Sequence, residues 1–231
     1  LVRLLFLNAS FLIKTLSLII AKSVGYLIKD ITLLFQLMEK DTGKTVLIFT
    51  VNGINSLLGW NAVLAALDYF AGAFPAYNIY SFLPIPVFIG YILVGGTYHI
   101  LSNKYKYVQL ITVGNIGINI ALAAILLVSI ILKETAIGFV LLLLSALMIG
   151  ICANLSQLTF FAMINYLSQD VVSKFTVGTA ISGLFITLIR IIILGIAGTN
   201  STSIVPIVIY FAIALIFNTM DLFMNIQFCK S

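Results

Sequence analysis

Six long stretches of apolar residues, nearly free of charge, constrain this chain more than any other feature. A helix needs about 20 such residues to cross the roughly 30 Å hydrocarbon core of a bilayer. Strands of a membrane barrel would be about 10 residues long with alternating polarity. The predicted fold is therefore an all-α, polytopic membrane helical bundle of six transmembrane helices, with approximate bounds 46–70, 82–101, 108–132, 136–166, 172–197 and 204–223.

Composition excludes most other classes of protein. The chain is 62% apolar and 8% charged, whereas soluble domains are about 45–50% apolar and about 25% charged. Two cysteines and one histidine, His99, make neither a disulfide framework nor a structural zinc site, so we expect no metal and no cofactor. The basic residues are scattered, which argues against nucleic acid as a partner. No hydrolytic or phosphate-binding motif occurs, so we expect no enzyme.

The basic residues predict the orientation and the domain limits. Ten Lys or Arg residues fall on the side that holds both termini, and only Lys133 falls on the other. We therefore expect an integral, multi-pass protein with both termini in the cytoplasm; the sequence does not decide between the plasma membrane and an intracellular one. Residues 1–45 form an N-terminal segment, either cytoplasmic or an extra hydrophobic or misassigned stretch, with Met38 as an alternative start. Residues 46–225 form the six-span domain, and 226–231 a cytoplasmic tail.

Ionisable residues inside the predicted spans are functional candidates, because each is costly to place in lipid. Asp68 and Arg190 both fall toward the outer half of the membrane, and we expect an intramembrane ion pair between them. Asp221 lies near the inner end of the sixth span. We interpret it as a carboxylate that reaches water at the interface.

Uncharged polar and small residues mark the helix faces that point into the bundle. The amides concentrate in three spans: Asn52, Asn55, Asn61, Asn115, Asn119, Asn154 and Gln157. Two interpretations stay open, hydrogen bonding between helices and the lining of a polar cavity, and the concentration favours the cavity. Glycines predict close helix contacts at three places: Gly95 with Gly96, Gly114 with Gly117, and Gly178 with Gly183.

Three spans carry a resemblance to a known family. The first span contains Leu57-Leu58-Gly59-Trp60-Asn61 and Asp68-Tyr69-Phe70. It resembles the opening helix of the equilibrative nucleoside transporters, which typically shows Leu-Leu-Pro-Trp-Asn and Asp-Tyr-Phe. Residues 150–162, centred on Gln157, and residues 175–191, rich in glycine, are similar to the family's fourth and fifth helices. The resemblance covers about residues 45–225, although Gly59 replaces the usual proline.

The resemblance implies a function and a set of site residues. The family has eleven spans, six followed by five, in a major-facilitator-like arrangement, and this chain resembles the N-terminal six-helix half. The charged Asp and Arg of the family's eighth span have no counterpart here. The implied activity is transport of nucleosides or nucleobases by alternating access, and the implied partners are that substrate, the lipid bilayer, and a missing five-span half or a second copy. The implied substrate-binding residues are Trp60 and Leu57 near the nucleobase and Gln157 at its edge, with Asn61 and Leu64 added, while Gly178 and Gly183 would let the fifth helix pack closely.

Two other functions stay open at this stage. The chain could be a six-span scaffold or accessory subunit whose Gly-rich faces bind partner helices, or a half-transporter of another small polar solute such as a sugar. The residues do not fix a preference for purine or pyrimidine. They also do not separate facilitated from proton-coupled transport, because proton coupling needs an acid that the sequence alone does not identify.

Overall fold

The computed structural model describes residues 41–164, 169–197 and 204–228, and every regular element in these ranges is a helix. The elements are α1 Asp41–Ala65, α2 Leu67–Ala73, α3 Ile79–Phe82, α4 Pro84–Lys104, α5 Tyr107–Ile131, α6 Ala136–Ile164, α7 Gln169–Ala197 and α8 Ile204–Phe228. The predicted all-α class is confirmed.

Six helical segments are long and apolar enough to cross a membrane. They are Thr45–Ala65, Ile79–Lys104, Tyr107–Ile131, Ala136–Met163, Val171–Ile193 and Ile204–Gln227. These segments agree with the six predicted spans, and they make the chain a multi-pass membrane protein. The predicted first span extended to residue 70, but α1 ends at Ala65. The backbone N–H of Ala66 donates to the carbonyls of both Ala62 and Val63. The short helix α2 begins at the next residue.

The chain divides into two compact units, residues 1–47 and residues 48–231. In the second unit the apolar core contains fully buried aromatic residues such as Phe70 and Phe211, whose rings meet edge to face with centroids 6.3 Å apart. The predictions for the first forty residues, including the alternative start at Met38, and for the last three residues lie outside the described part of the chain.

Close helix packing depends on glycines at a few crossings. A side chain at Gly90 on α4 would meet the backbone of α6 near Gly150, and one at Gly114 on α5 would meet Ser156 and the Cys152 carbonyl of α6. The prediction for Gly95 and Gly96 is wrong. Both are exposed on the outer face of α4, and a β-carbon at Gly96 would meet no atom within 4 Å.

Candidate functional site

One narrow face of α1 is only half-buried, and it contains four of the predicted substrate-binding residues. Trp60 and Asn61 lie three and four residues after Leu57, and Leu64 follows them by four and three, so all four share one side of the helix. All four are half-buried, whereas the intervening Leu58, Ala62 and Val63 are completely buried. We call these four residues the open face of α1. The rest of the helix at this level is enclosed by protein.

Two half-buried polar side chains, Trp60 on the open face and Gln157 on α6, have no hydrogen-bonding partner among the described residues. The indole N–H of Trp60 makes no hydrogen bond to any residue that the structure describes. Gln157 lies on another helix, α6, where it is also half-buried, and its side-chain amide likewise has no hydrogen-bonding partner in the described ranges. These two groups could therefore bind a polar ligand without first breaking an internal hydrogen bond.

A line of contacts joins α1 and α2 to α7, and we call it the α1–α7 seam. Gly53 and Gly178 face each other so closely that a β-carbon on either would meet the backbone of the other helix. Farther along α1, toward its C-terminal end, Asn61 Nδ2 donates to Ser182 Oγ at 3.0 Å. Gly183, by contrast, has only ordinary contact, because its β-carbon would lie 3.8 Å from Asn61 Nδ2.

The seam ends in an ion pair. Arg190 Nη2 on α7 donates to Asp68 Oδ2 on α2, and the Tyr80 hydroxyl donates to Asp68 Oδ1 at 2.8 Å. The Arg190 and Asp68 side chains are 35% and 48% exposed. At such exposure an ion pair contributes up to about 1 kcal/mol, so it helps to hold α2 against α7 without dominating the stability.

A set of deeply buried amide side chains and one carboxyl group forms a second group, which we call the Asp221 cluster. Each is at most 5% exposed. Its members come from α1, α5 and α8 and are Asn52, Asn55, Asn115, Asn218, Asp221 and Asn225. Because these groups are buried within an apolar helical bundle, their hydrogen-bonding partners must come from the protein.

Asp221 lies at the centre of the cluster. Its Oδ2 accepts from Asn55 Nδ2 at 3.0 Å and from Asn115 Nδ2 at 2.9 Å. Asn55 Nδ2 also donates to Asn218 Oδ1 at 2.7 Å, and Asn218 Nδ2 donates to the Asn115 carbonyl at 2.7 Å. The cluster thus fastens α8 to both α1 and α5.

A reciprocal amide pair adjoins Asp221 toward the end of α8. Asn52 Nδ2 donates to Asn225 Oδ1 at 3.1 Å, and Asn225 Nδ2 donates to Asn52 Oδ1 at 2.8 Å. Beyond the cluster, Ser156 Oγ on α6 donates to Asn115 Oδ1 at 3.3 Å. Nearly all the amide groups of the cluster therefore have partners.

The interpretation of Asp221 as an interfacial carboxylate is wrong, because its side chain is 1% exposed. Asn218, Asp221 and Asn225 are separated by three and then four residues, so they occupy one face of α8, and this face packs into the bundle. That spacing, together with Asn52 and Asn55 three apart on α1, was the sequence signal that could have identified the cluster. Nearness to the end of a span does not by itself place a carboxyl group at the interface.

The remaining predicted amides connect helices. Asn154 Nδ2 on α6 donates to the Tyr91 carbonyl of α4 at 2.7 Å. Asn119 Nδ2 on α5 donates to Thr219 Oγ1 of α8 at 3.3 Å, and its buried Oδ1 has no partner among the described residues. For Asn154 the structure favours hydrogen bonding between helices over a cavity.

Comparison with known proteins adds no family assignment. No protein-family model matches the chain, and no curated protein matches it.

Proposed function

We propose that this chain is one helical domain of a membrane transporter that moves nucleosides or nucleobases by alternating access. The observation that carries the proposal is the open face of α1, where the half-buried Trp60 presents an indole N–H that has no hydrogen-bonding partner among the described residues. In transporters that alternate between two open states, substrate binds near the midplane between two helical domains. The open face of α1, which is half-buried, is suited to a binding site between two such domains.

The chemistry of the exposed groups fits such a substrate. A nucleobase is flat and largely apolar on its faces, so it packs well on the indole of Trp60. Its edge carries hydrogen-bond donors and acceptors, and the free amide of Gln157 offers both. The ribose hydroxyls of a nucleoside could accept from the Trp60 indole N–H.

The open face of α1 also favours a second domain packed against it. Left open to lipid, the indole N–H of Trp60 would have no hydrogen-bonding partner, which is unfavourable in hydrocarbon. The proposal therefore includes a covering domain, either a further five-span half or a second copy of the chain. The seam with α7 would hold α1 in position while that domain moves.

Tryptophan fluorescence gives a direct binding test, because Trp60 is the only tryptophan in the chain. In the purified chain reconstituted in lipid nanodiscs, uridine or adenosine should quench the Trp60 emission saturably. The Gln157→Ala variant should bind more weakly, since losing one hydrogen bond costs about 0.5–1.5 kcal/mol, or roughly 2- to 13-fold in affinity.

The matched control is Gln227→Ala, the same substitution at an exposed residue near the end of α8, and it should leave affinity unchanged. Equal weakening by both variants would remove Gln157 from the site. Quenching by glucose but not by nucleosides would replace the proposed substrate with a sugar. No response to any solute would favour a scaffold that transports nothing.

A further inference from the structure

Asp221 is the one side chain in the Asp221 cluster that can carry a charge. It lies within the apolar segment Ile204–Gln227, about 9 Å from the end of that segment at 1.5 Å per residue. Its side chain is 1% exposed. An ionised carboxylate at such a position is very unfavourable unless a positive charge lies beside it.

Among the described residues, no positively charged side chain is bonded to Asp221. The ion pair found there joins Arg190 to Asp68, and the side chains that bond to Asp221 from α1 and α5 are the neutral amides of Asn55 and Asn115. On α8 itself, the polar neighbours on the same face are Asn218 and Asn225, which are also neutral. The described residues therefore leave the carboxyl group without a counter-charge.

The two carboxyl oxygens have different surroundings. Oδ2 accepts two amide hydrogens, whereas Oδ1 is buried and has no hydrogen-bonding partner among the described residues. Leaving one neutral group unpaired costs about 1–3 kcal/mol, far less than burying an uncompensated charge. The geometry thus favours a proton on Oδ1 and no proton on Oδ2.

A metal ion fits this position poorly. Hard divalent cations take about six or more oxygen ligands. The Oδ1 atoms of Asn52, Asn115, Asn218 and Asn225 already accept hydrogen bonds, so they point toward donors rather than toward an empty position. One unpartnered carboxyl oxygen is a site for a proton.

We propose that the Asp221 carboxyl is a proton-binding site inside the membrane, taking up H⁺ at Oδ1 and releasing it to water when the Asp221 cluster opens. Binding adds one proton to a lone pair of Oδ1 and neutralises the carboxylate, with no other bond made or broken. The Asn52–Asn225 pair lies between Asp221 and the end of α8, so we expect proton exchange toward that end to require these two amides to separate. The contact of α8 with α1 and α5 then depends on a proton. This inference does not depend on which solute the protein carries.

Infrared difference spectroscopy tests the site in the full chain reconstituted in lipid. A protonated carboxyl gives a C=O stretching band well separated from the bands of a carboxylate, and this band shifts to lower frequency in D₂O. We expect such a band at neutral pH, lost in Asp221→Asn and retained in Asp68→Asn, the control at a half-exposed, ion-paired carboxylate. Asp221→Glu keeps a carboxyl group and should keep the band at a changed frequency, which covers the case that Asp221→Asn does not fold.

Three results would overturn the proposal. The first is a wild-type spectrum with no protonated carboxyl band at neutral or mildly acidic pH. The second is a band that persists in folded Asp221→Asn. The third is a band that disappears when Na⁺ replaces K⁺ at constant pH, because this would make the position a metal-cation site.

Discussion

At the scale of single residues, the bundle is held at its centre by amide side chains rather than by charge pairs. Asn115 has the largest part in this, because its side chain donates to Asp221 and accepts from Ser156 while its carbonyl accepts from Asn218. Hydrogen bonds between helices in membranes average about 0.6 kcal/mol. A residue that makes several of them should therefore have a measurable effect on stability.

Asn115→Leu should lower the free energy of unfolding by about 1–3 kcal/mol, because it removes a donor from Asp221 and leaves the Ser156 hydroxyl without its acceptor. The measurement is denaturation of the purified protein in mixed micelles, followed by circular dichroism. Asn119→Leu is the control on the same helix. It removes a single 3.3 Å bond and also removes a buried oxygen that has no partner in the described chain, so its effect should be small. An equal loss in both variants would contradict the central role given to Asn115.

Part of this arrangement could be predicted from single residues. The amides of the first and third spans were predicted to point into the bundle, because an amide facing lipid is unfavourable, and Asn52, Asn55 and Asn115 do so. The position of Asp221 could not be predicted from its distance to the end of the span. That distance allows either an interfacial or a buried carboxyl group, and the choice depends on the amides that α1 and α5 supply.

At the scale of elements, the α1–α7 seam decides how α1 is oriented. The backbones of the two helices approach at Gly53 and Gly178, and farther along, Asn61 bonds to Ser182. This contact turns Leu57, Trp60 and Leu64 away from the enclosed side of the bundle. Together with the bonds of Asn52 and Asn55 to α8, the seam fixes which side of α1 stays half-buried.

Gly178→Ala should lower the free energy of unfolding by about 1–3 kcal/mol, the usual cost of overpacking. Its β-carbon would meet the Thr50 carbonyl and the Ile54 amide of α1, and backbone atoms of a helix cannot move aside easily. The matched control is Gly96→Ala, where a β-carbon would meet nothing within 4 Å. Alanine there should be neutral or slightly stabilising, because it favours the helix. Thermal unfolding of the two variants in detergent checks this, and a Gly178→Ala protein as stable as the wild type would show that the seam is loose.

Sequence patterns predict which spans exist better than which glycines are in contact. Span length and low charge determine the six helices, because the bilayer sets the length that each needs. A glycine, however, marks a close crossing only if its side of the helix faces another helix. Gly95 and Gly96 face outward, while Gly90, only five residues earlier, meets α6; the local sequence does not distinguish the two cases.

At the scale of the whole molecule, the open face of α1 is only half-buried by the described residues. The proposal treats this bundle as one half of a two-domain transporter. Alternating access needs two bodies that move about a shared site, so a single copy of this chain should bind a nucleoside without carrying it across the membrane.

Uptake by proteoliposomes tests this central claim most directly. The chain is reconstituted at densities giving one copy or several copies per vesicle, cross-linked to count associated copies, and supplied with labelled uridine or adenosine. We expect no saturable uptake in vesicles with single copies, and uptake that excess unlabelled nucleoside inhibits only where cross-linking finds paired copies. Saturable, competable uptake by single copies would contradict the claim that this chain is one half of a two-domain transporter.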